Sequence, residues 1–292
     1  MRLCEKIEIM KKEIIKITSS SAQRVGEHRM YQPIPDVGLE QISPFILLHH
    51  HGPHEFAPHN QGLPFGPHPH RGFETLTFIL DGEIEHADGH GHQSVIKSGG
   101  VQWMTAARGI VHSENLSKNQ RENGGKMEII QLWMNLPAAL KMSQPNYQGL
   151  QENEIPKVIS ADTKTEVAVI SGNLQGKKGA AKSLTGLEMF SINMKEGGEF
   201  SLKIEEGKNV LFYVIDGEVL VNGKLVIGHQ LAVFGTKNTD IDLKAQSASR
   251  IIFGAGDPIN EPMVSQGPFV MNTTTELMQA MRDYQMGKMG VM

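Results

Sequence analysis

A strand–turn–strand pattern that occurs twice is the strongest constraint on how this chain can fold. Phe78 to Gly89 reads F-I-L-D-G-E-I-E-H-A-D-G, and Tyr213 to Gly223 reads Y-V-I-D-G-E-V-L-V-N-G. Asp-Gly between apolar runs marks a hairpin turn. Further on, Val95-Ile96 matches Val226-Ile227, and Glu128-Ile129-Ile130 resembles Arg250-Ile251-Ile252. Similarity that keeps its order over such a distance argues for a duplicated unit. Each copy is made of short strands divided by turns, in keeping with 31 glycines and 14 prolines among 292 residues. The predicted fold is mainly β, two antiparallel jelly-roll barrels in tandem.

The expected units are residues 1–137 and 138–292. Residues 1–20, with Ile7, Ile9, Ile14, Ile15 and Ile17, read as a strand or short arm. A His/Pro/Gly-rich loop is expected over 49–69. From Phe73 both faces of the pattern are apolar (Phe73, Thr75, Thr77, Ile79 against Glu74, Leu76, Phe78, Leu80), as in a buried barrel strand. The join near Pro137–Gln151 begins with a short helix at Ala138–Met142. Thr273-x-x-Glu276 is a capping-box pattern, and Leu277, Met281 and Tyr284 follow at helical spacing. These predict one amphipathic helix over about 274–286, packed on a barrel.

Composition removes several function classes. Net charge is −4, from 28 Lys+Arg against 32 Asp+Glu. Direct nucleic-acid binding needs a basic face, so it is not expected, whereas a protein partner is permitted. One cysteine, Cys4, allows neither an internal disulfide nor a thiolate zinc site. No apolar run approaches the ~18 residues of a membrane span, and the first fifteen residues lack a signal-peptide core. A cytoplasmic setting is the expectation.

Twelve of the 13 histidines lie between His28 and His112. A solvated, loop-rich surface is the plain reading for His28, His49, His50, His51, His54 and His59. It is also the favoured reading for His86, His90 and His92, which surround an Asp-Gly turn. Two pairs stand apart. His68 and His70 are two residues apart, as are His112 and Glu114. On a strand, such residues share a face. An antiparallel neighbour would bring the pairs together, giving three imidazole nitrogens and one carboxylate oxygen. That set suits Fe, Zn, Cu, Ni or Mn without selecting among them. An octahedral ion would keep two positions open. Glu74 shares parity with His70 and is a candidate fifth group, with pairing to Arg71, or a place behind the ligands without touching the ion, as equal alternatives. Shifting the two pairs into the second copy lands on Lys203, Glu205, Ser247 and Ser249, or on Ile241 and Leu243 with a shorter offset. Neither is a metal set, so one metal per chain is expected.

These residues sit in stretches that resemble the pirin family of bicupins. The stretches are H-P-H-R-G-F-E-T at 68–75, Q-W-M-T-A at 102–106, R-G-I-V-H-S-E at 108–114, Q-L-W-M-N-L at 131–136 and G-P-F-V-M-N-T at 267–273. The resemblance implies two stacked cupin barrels and one non-haem metal, usually iron, held in the first by His68, His70, His112 and Glu114. Gly62, His68, His70 and Glu74 also fit the general cupin spacing, but in pirins Glu114 completes the site.

Bacterial pirin-like proteins are associated with quercetin 2,3-dioxygenase activity. The resemblance therefore implies Fe(II), dioxygen and a flavonol substrate, with Glu114 accepting the flavonol's hydroxyl proton. Zn, Mn, Cu and Ni are the other ions the set admits. Phe65, Phe73, Phe78 and Trp103 are the nearest aromatic residues for a substrate pocket. The alternative is a non-catalytic regulator that binds a transcription factor or metabolic enzyme, with the metal's redox state as its switch.

Overall fold

The computed structural model describes residues 10–26 and 28–292. Ile7, Ile9 and Cys4 therefore lie outside the described residues. Twelve strands make up the first part of the chain. They are β1 (Ile14–Ser19), β2 (Ala22–Val25), β3 (His28–Ile34), β4 (Phe45–Phe56), β5 (His68–His70), β6 (Phe73–Asp81), β7 (Glu83–Asp88), β8 (Gln93–Lys97), β9 (Val101–Thr105), β10 (Ile110–Leu116), β11 (Gly125–Asn135) and β12 (Asn146–Leu150). Helices are short: α1 (Lys118–Asn123), α2 (Ala138–Lys141) and α3 (Thr274–Gln285). No helix among the described residues is long and apolar enough to cross a membrane.

The first barrel is a seven-stranded sheet, β12-β9-β6-β11-β4-β3-β2, facing a four-stranded sheet, β5-β10-β7-β8. The second repeats this plan. Its four-stranded sheet has the order Glu199–Lys203, Asp240–Ala245, Glu218–Val221, Lys224–Ile227. The repeated Asp-Gly motifs sit at equivalent turns, between β6 and β7 and between Asn209–Asp216 and Glu218–Val221, but not at the expected hairpins: in each copy the strand before the turn belongs to the seven-stranded sheet and the strand after it to the four-stranded one, so the turn carries the chain across the barrel. The duplication read from the sequence is thus a duplication of topology.

Each large sheet borrows its last strand. β12 lies beyond residue 137, yet it pairs with β9 of the first sheet. β1 pairs with Gln230–Phe234 of the second sheet, Ile17 opposite Ala232. A division at residue 137 does not describe these two exchanges. Each borrowed strand satisfies the outer backbone groups of its neighbour, β9 or Gln230–Phe234, and itself becomes the edge of the sheet.

The two seven-stranded sheets pack back to back. One apolar layer joins Leu48, Leu76, Phe78, Trp103 and Leu132 of the first to Leu211, Tyr213, Leu231 and Ile252 of the second. Each fully buried side chain in such a layer contributes about 1.5–3 kcal/mol. A polar bridge is embedded in the layer. His50 Nε2 lies 2.9 Å from Glu128 Oε1, and Arg250 Nη2 of the second barrel donates to Glu128 Oε2 at 2.9 Å.

The expected loop over 49–69 is only partly a loop. β4 runs to Phe56 and is paired with β11 on one side and β3 on the other. Most of the nearby histidines are accordingly not solvated. His28, His50 and His51 are buried, His49 and His54 are half-buried, and only His59 is exposed. The strand alternates its histidines. His50 turns to the inter-barrel layer, where its Nδ1 meets the Tyr213 hydroxyl. His49 and His51 turn into the first barrel, where His51 Nδ1 meets His28 Nε2 at 3.0 Å.

Burial pushes His51 down to about 3 and His49 to about 4. The unfolded chain binds protons at these residues first, so stability falls as pH drops from about 6.5 toward those values. Urea unfolding midpoints should therefore decline between pH 7 and pH 4. His51→Leu should flatten that decline by up to ~1 kcal/mol per pH unit. An unchanged slope in the variant would contradict the assignment.

Candidate metal centre

The four-stranded sheet of the first barrel turns one face inward, and its register decides what meets there. β10 lies between β5 and β7. His112 stands opposite His68 on one side and Asp88 on the other, and Glu114 stands opposite His86. Directly opposed residues of antiparallel strands share a face. His68 and His70 share it by strand parity. Ligand atoms of His68, His70 and His112 lie within 4.8 Å of one another, as do those of His86, His112 and Glu114. His112 belongs to both groups.

The electrostatics suit a cation. Both ring nitrogens of His112 are buried without any hydrogen-bond partner, and those of His70 are buried with no well-aligned one, the Pro268 carbonyl being the acceptor in play. Orphaned nitrogens of this kind are costly unless something else satisfies them. Burial, reinforced by His68, pushes His70 down to about 3, and burial pushes His112 well below the ordinary range. Both imidazoles are therefore neutral at pH 7, as coordination requires. His68 Nδ1 donates to the Gly66 carbonyl at 2.8 Å, which leaves its Nε2 lone pair free. The residues thus fit a divalent transition ion: His68, His70 and His112 are able to offer one ring nitrogen each within 4.8 Å of one another, and the His70 and His112 rings are buried and neutral.

Glu114 is buried and doubly held. Thr77 Oγ1 donates to its Oε1 at 3.1 Å, and Gln131 Nε2 donates to its Oε2 at 2.7 Å. Trp133 Nε1 donates to Gln131 Oε1, which fixes the Gln131 amide with its N–H toward the carboxylate. Burial raises the Glu114 carboxyl above its usual value.

His86 is where the sequence reading departs most from the structure. It sits on β7, 1% exposed, rather than in a solvated loop. Its ring stacks on Tyr147 of β12 at 3.9 Å, and its Nε2 lies 3.3 Å from Asp88 Oδ2. Asp88 also accepts from His92 Nδ1 and from the His90 and His92 amides. Burial alone would raise Asp88, but these donors outweigh it and hold the carboxyl below its ordinary value. His90 and His92 are exposed, in keeping with the loop reading. The missed signal was parity: His86 and Asp88 are two apart on the strand that precedes the turn.

Glu74 takes none of the expected roles. Gly72 adopts a left-handed φ of +92°, which separates β5 from β6 and resets the alternation. Glu74 consequently faces the inter-barrel side, where Trp103 Nε1 and Thr105 Oγ1 donate to its Oε1. Arg71 pairs with Asp283 instead. The four expected pocket aromatics also divide. Phe73 lies 5.1 Å from the His70 ring, and Phe65 packs on His51 inside the barrel. Phe78 and Trp103 belong to the inter-barrel layer and do not line the site. Trp133, which the sequence reading did not name, takes their place at 5.1 Å from His70.

In the second barrel, the corresponding positions are Leu202, Ile204, Ile241 and Leu243, all buried in an apolar core. Among the described residues, the clustered His and carboxylate groups occur only in the first barrel.

Two family models match the chain. Residues 27–134 match the family model "Pirin", and residues 189–290 match "Pirin C-terminal cupin domain". A Pseudomonas aeruginosa protein named as a candidate quercetin 2,3-dioxygenase is 38% identical over 249 residues, covering 85% of this chain and 87% of that protein. The crystal structure of quercetin 2,3-dioxygenase from Acinetobacter baumannii superposes with a TM-score of 0.91 at 34% identity, covering 97% of this chain and 100% of that one. A bacterial pirin from Escherichia coli in complex with nickel(II) shares the fold at 20% identity, with a TM-score of 0.66, covering 84% of this chain and 100% of that one.

Purified His70→Ala and His112→Ala chains should each lose most of their bound transition metal, measured by elemental analysis after loading and desalting. Glu74→Gln should retain it, because that side chain faces the opposite side of its sheet. Loss of metal in Glu74→Gln with folding intact would contradict this placement.

Proposed function

The chain belongs to the pirin family, and from that premise we propose that it is a metal-dependent dioxygenase that opens the ring of a flavonol such as quercetin. His68, His70, His112 and Glu114 would hold one divalent transition ion, Fe(II), in the first barrel. The observation that carries this reading is the convergence of the His68, His70 and His112 imidazoles, with His112 also meeting the buried Glu114 carboxylate and His86 on the same face. The Pseudomonas and Acinetobacter relatives bear the name of this activity. When bound, the ion supplies a Lewis acid for the flavonol oxygens and a redox partner for dioxygen.

The chain's own residues do the rest. Glu114 accepts the proton of the flavonol hydroxyl, with Thr77 and Gln131 keeping its two oxygens aimed. Trp133, Phe73 and Phe65 provide flat apolar walls for an aromatic substrate. The neutral imidazoles of His70 and His112 each keep one ring nitrogen with a free lone pair for the ion. In the overall reaction both atoms of dioxygen enter the opened product and one ring carbon leaves as carbon monoxide, so atoms balance without a further reductant.

The test is to load the chain with Fe(II) and follow loss of the flavonol absorbance band under oxygen. His70→Ala should abolish turnover without unfolding the chain. Glu114→Gln should lower turnover about 100-fold while retaining most of its metal. Equal losses of metal and turnover in that variant would remove the proton-acceptor role. Absence of turnover at full iron occupancy, with a stable protein partner recovered by pull-down, would favour the regulatory alternative.

A further inference from the structure

β5 is three residues long, lies at the edge of its sheet and has one strand neighbour, β10. Yet it carries His68 and His70. Its other side is supplied by the far end of the chain. Arg71 forms a parallel bridge with Phe269, its amide donating to the Pro268 carbonyl at 3.3 Å and its carbonyl accepting from Val270 N–H at 3.0 Å. The Arg71 side chain is 4% exposed, donating from Nε to the Arg108 carbonyl at 2.6 Å and from Nη1 to Asp283 of α3 at 2.9 Å. Lys141 Nζ, also buried, donates to both the Gly72 and Val270 carbonyls, at 2.7 and 3.0 Å. A Cβ at Gly72 would overlap the Val270 carbonyl oxygen, so only glycine allows this approach.

The second ligand strand is held from the same source. Val111, next to His112, donates its amide to the Met289 carbonyl at 3.0 Å. Its side chain packs with Phe269, Met271, Leu277, Ala280 and Met289. The helix that ends the second half of the chain thus packs on the metal-bearing strands of the first barrel. Lys288 first, then Arg71, hold the Asp283 carboxyl at about 2, so it stays ionised for this contact.

We propose that residues 264–292 are a clasp that positions His70 and His112 for metal capture, with Arg71, Lys141 and Asp283 as its positioning residues. The proposal rests on the ligand assignment above. Metal affinity depends on ligand placement to tenths of an ångström, and β5 has too few backbone partners of its own to provide it. Coupling of this kind is reciprocal: if the clasp favours the ion, the ion favours the docked clasp by the same factor.

The full-length chain is tested with Ni(II), which needs no protection from air. Hydrogen exchange in 264–292 should slow about tenfold when Ni(II) binds. Loss of Ni(II) to a competing chelator should be about tenfold faster in Asp283→Asn than in wild type. The Co(II)-loaded Arg71→Lys chain should show a shifted visible spectrum, which loss of general stability alone would not produce. Unchanged exchange in the wild-type chain, or equal Ni(II) loss from a folded Asp283→Asn chain, overturns the clasp. If Asp283→Asn does not fold, the wild-type exchange measurement decides. Failure of the wild-type chain to bind Ni(II) or Co(II) at all overturns the ligand assignment itself, and the clasp with it.

Discussion

The register of β10 is the constraint on which everything at the centre depends. Because strand side chains alternate with period two, slipping this strand by one residue would turn His112 and Glu114 outward and bring Val111, Ser113 and Asn115 inward. The register is fixed from both flanks, by β5 through His112 opposite His68 and by β7 through Glu114 opposite His86. Ile110 and Leu116 on the same face are fully buried, so hydrophobic burial opposes the slip at both ends of the strand. The polar cluster needs an apolar frame to hold it, since unpartnered imidazoles contribute nothing favourable to folding without a ligand.

Strand parity makes part of this centre legible from the order of residues alone. His-x-His and His-x-Glu stand out because the period of a strand is short and rigid, and the fold brings His68, His70 and His112 together. Parity fails where the backbone departs from a continuous strand. Gly72 breaks the run between His70 and Glu74, so counting across it assigns Glu74 to the wrong side. It fails again where both faces of a strand are apolar. Phe73 and Phe78 lie on one strand, and nothing in their identity says which faces the centre and which the other barrel. His86 is hidden by its neighbours, since His-Ala-Asp-Gly has the composition of a turn. The histidines of β4 resemble a solvated loop because imidazole tolerates burial once neutral, a property that composition does not record.

The second barrel supports the first without sharing its chemistry. Leu202, Ile204, Ile241 and Leu243 fill the space that the first barrel gives to polar groups, so one copy has an apolar core and the other a polar interior. The back-to-back layer ties them, with the His50–Glu128–Arg250 bridge embedded in a largely apolar contact. A charged group in such a layer favours one relative placement of the sheets, because any other leaves it buried and unpaired.

The exchanged strand β1 has a consequence for how the molecule is made. Gln230 and Ser19, bonded in the finished sheet, are 211 positions apart in the chain. A ribosome releasing the polypeptide from its amino end presents β1 long before its partner exists. During that interval its backbone donors and acceptors are open to any other extended segment. Closure of the second barrel therefore waits until Gln230–Phe234 has been made.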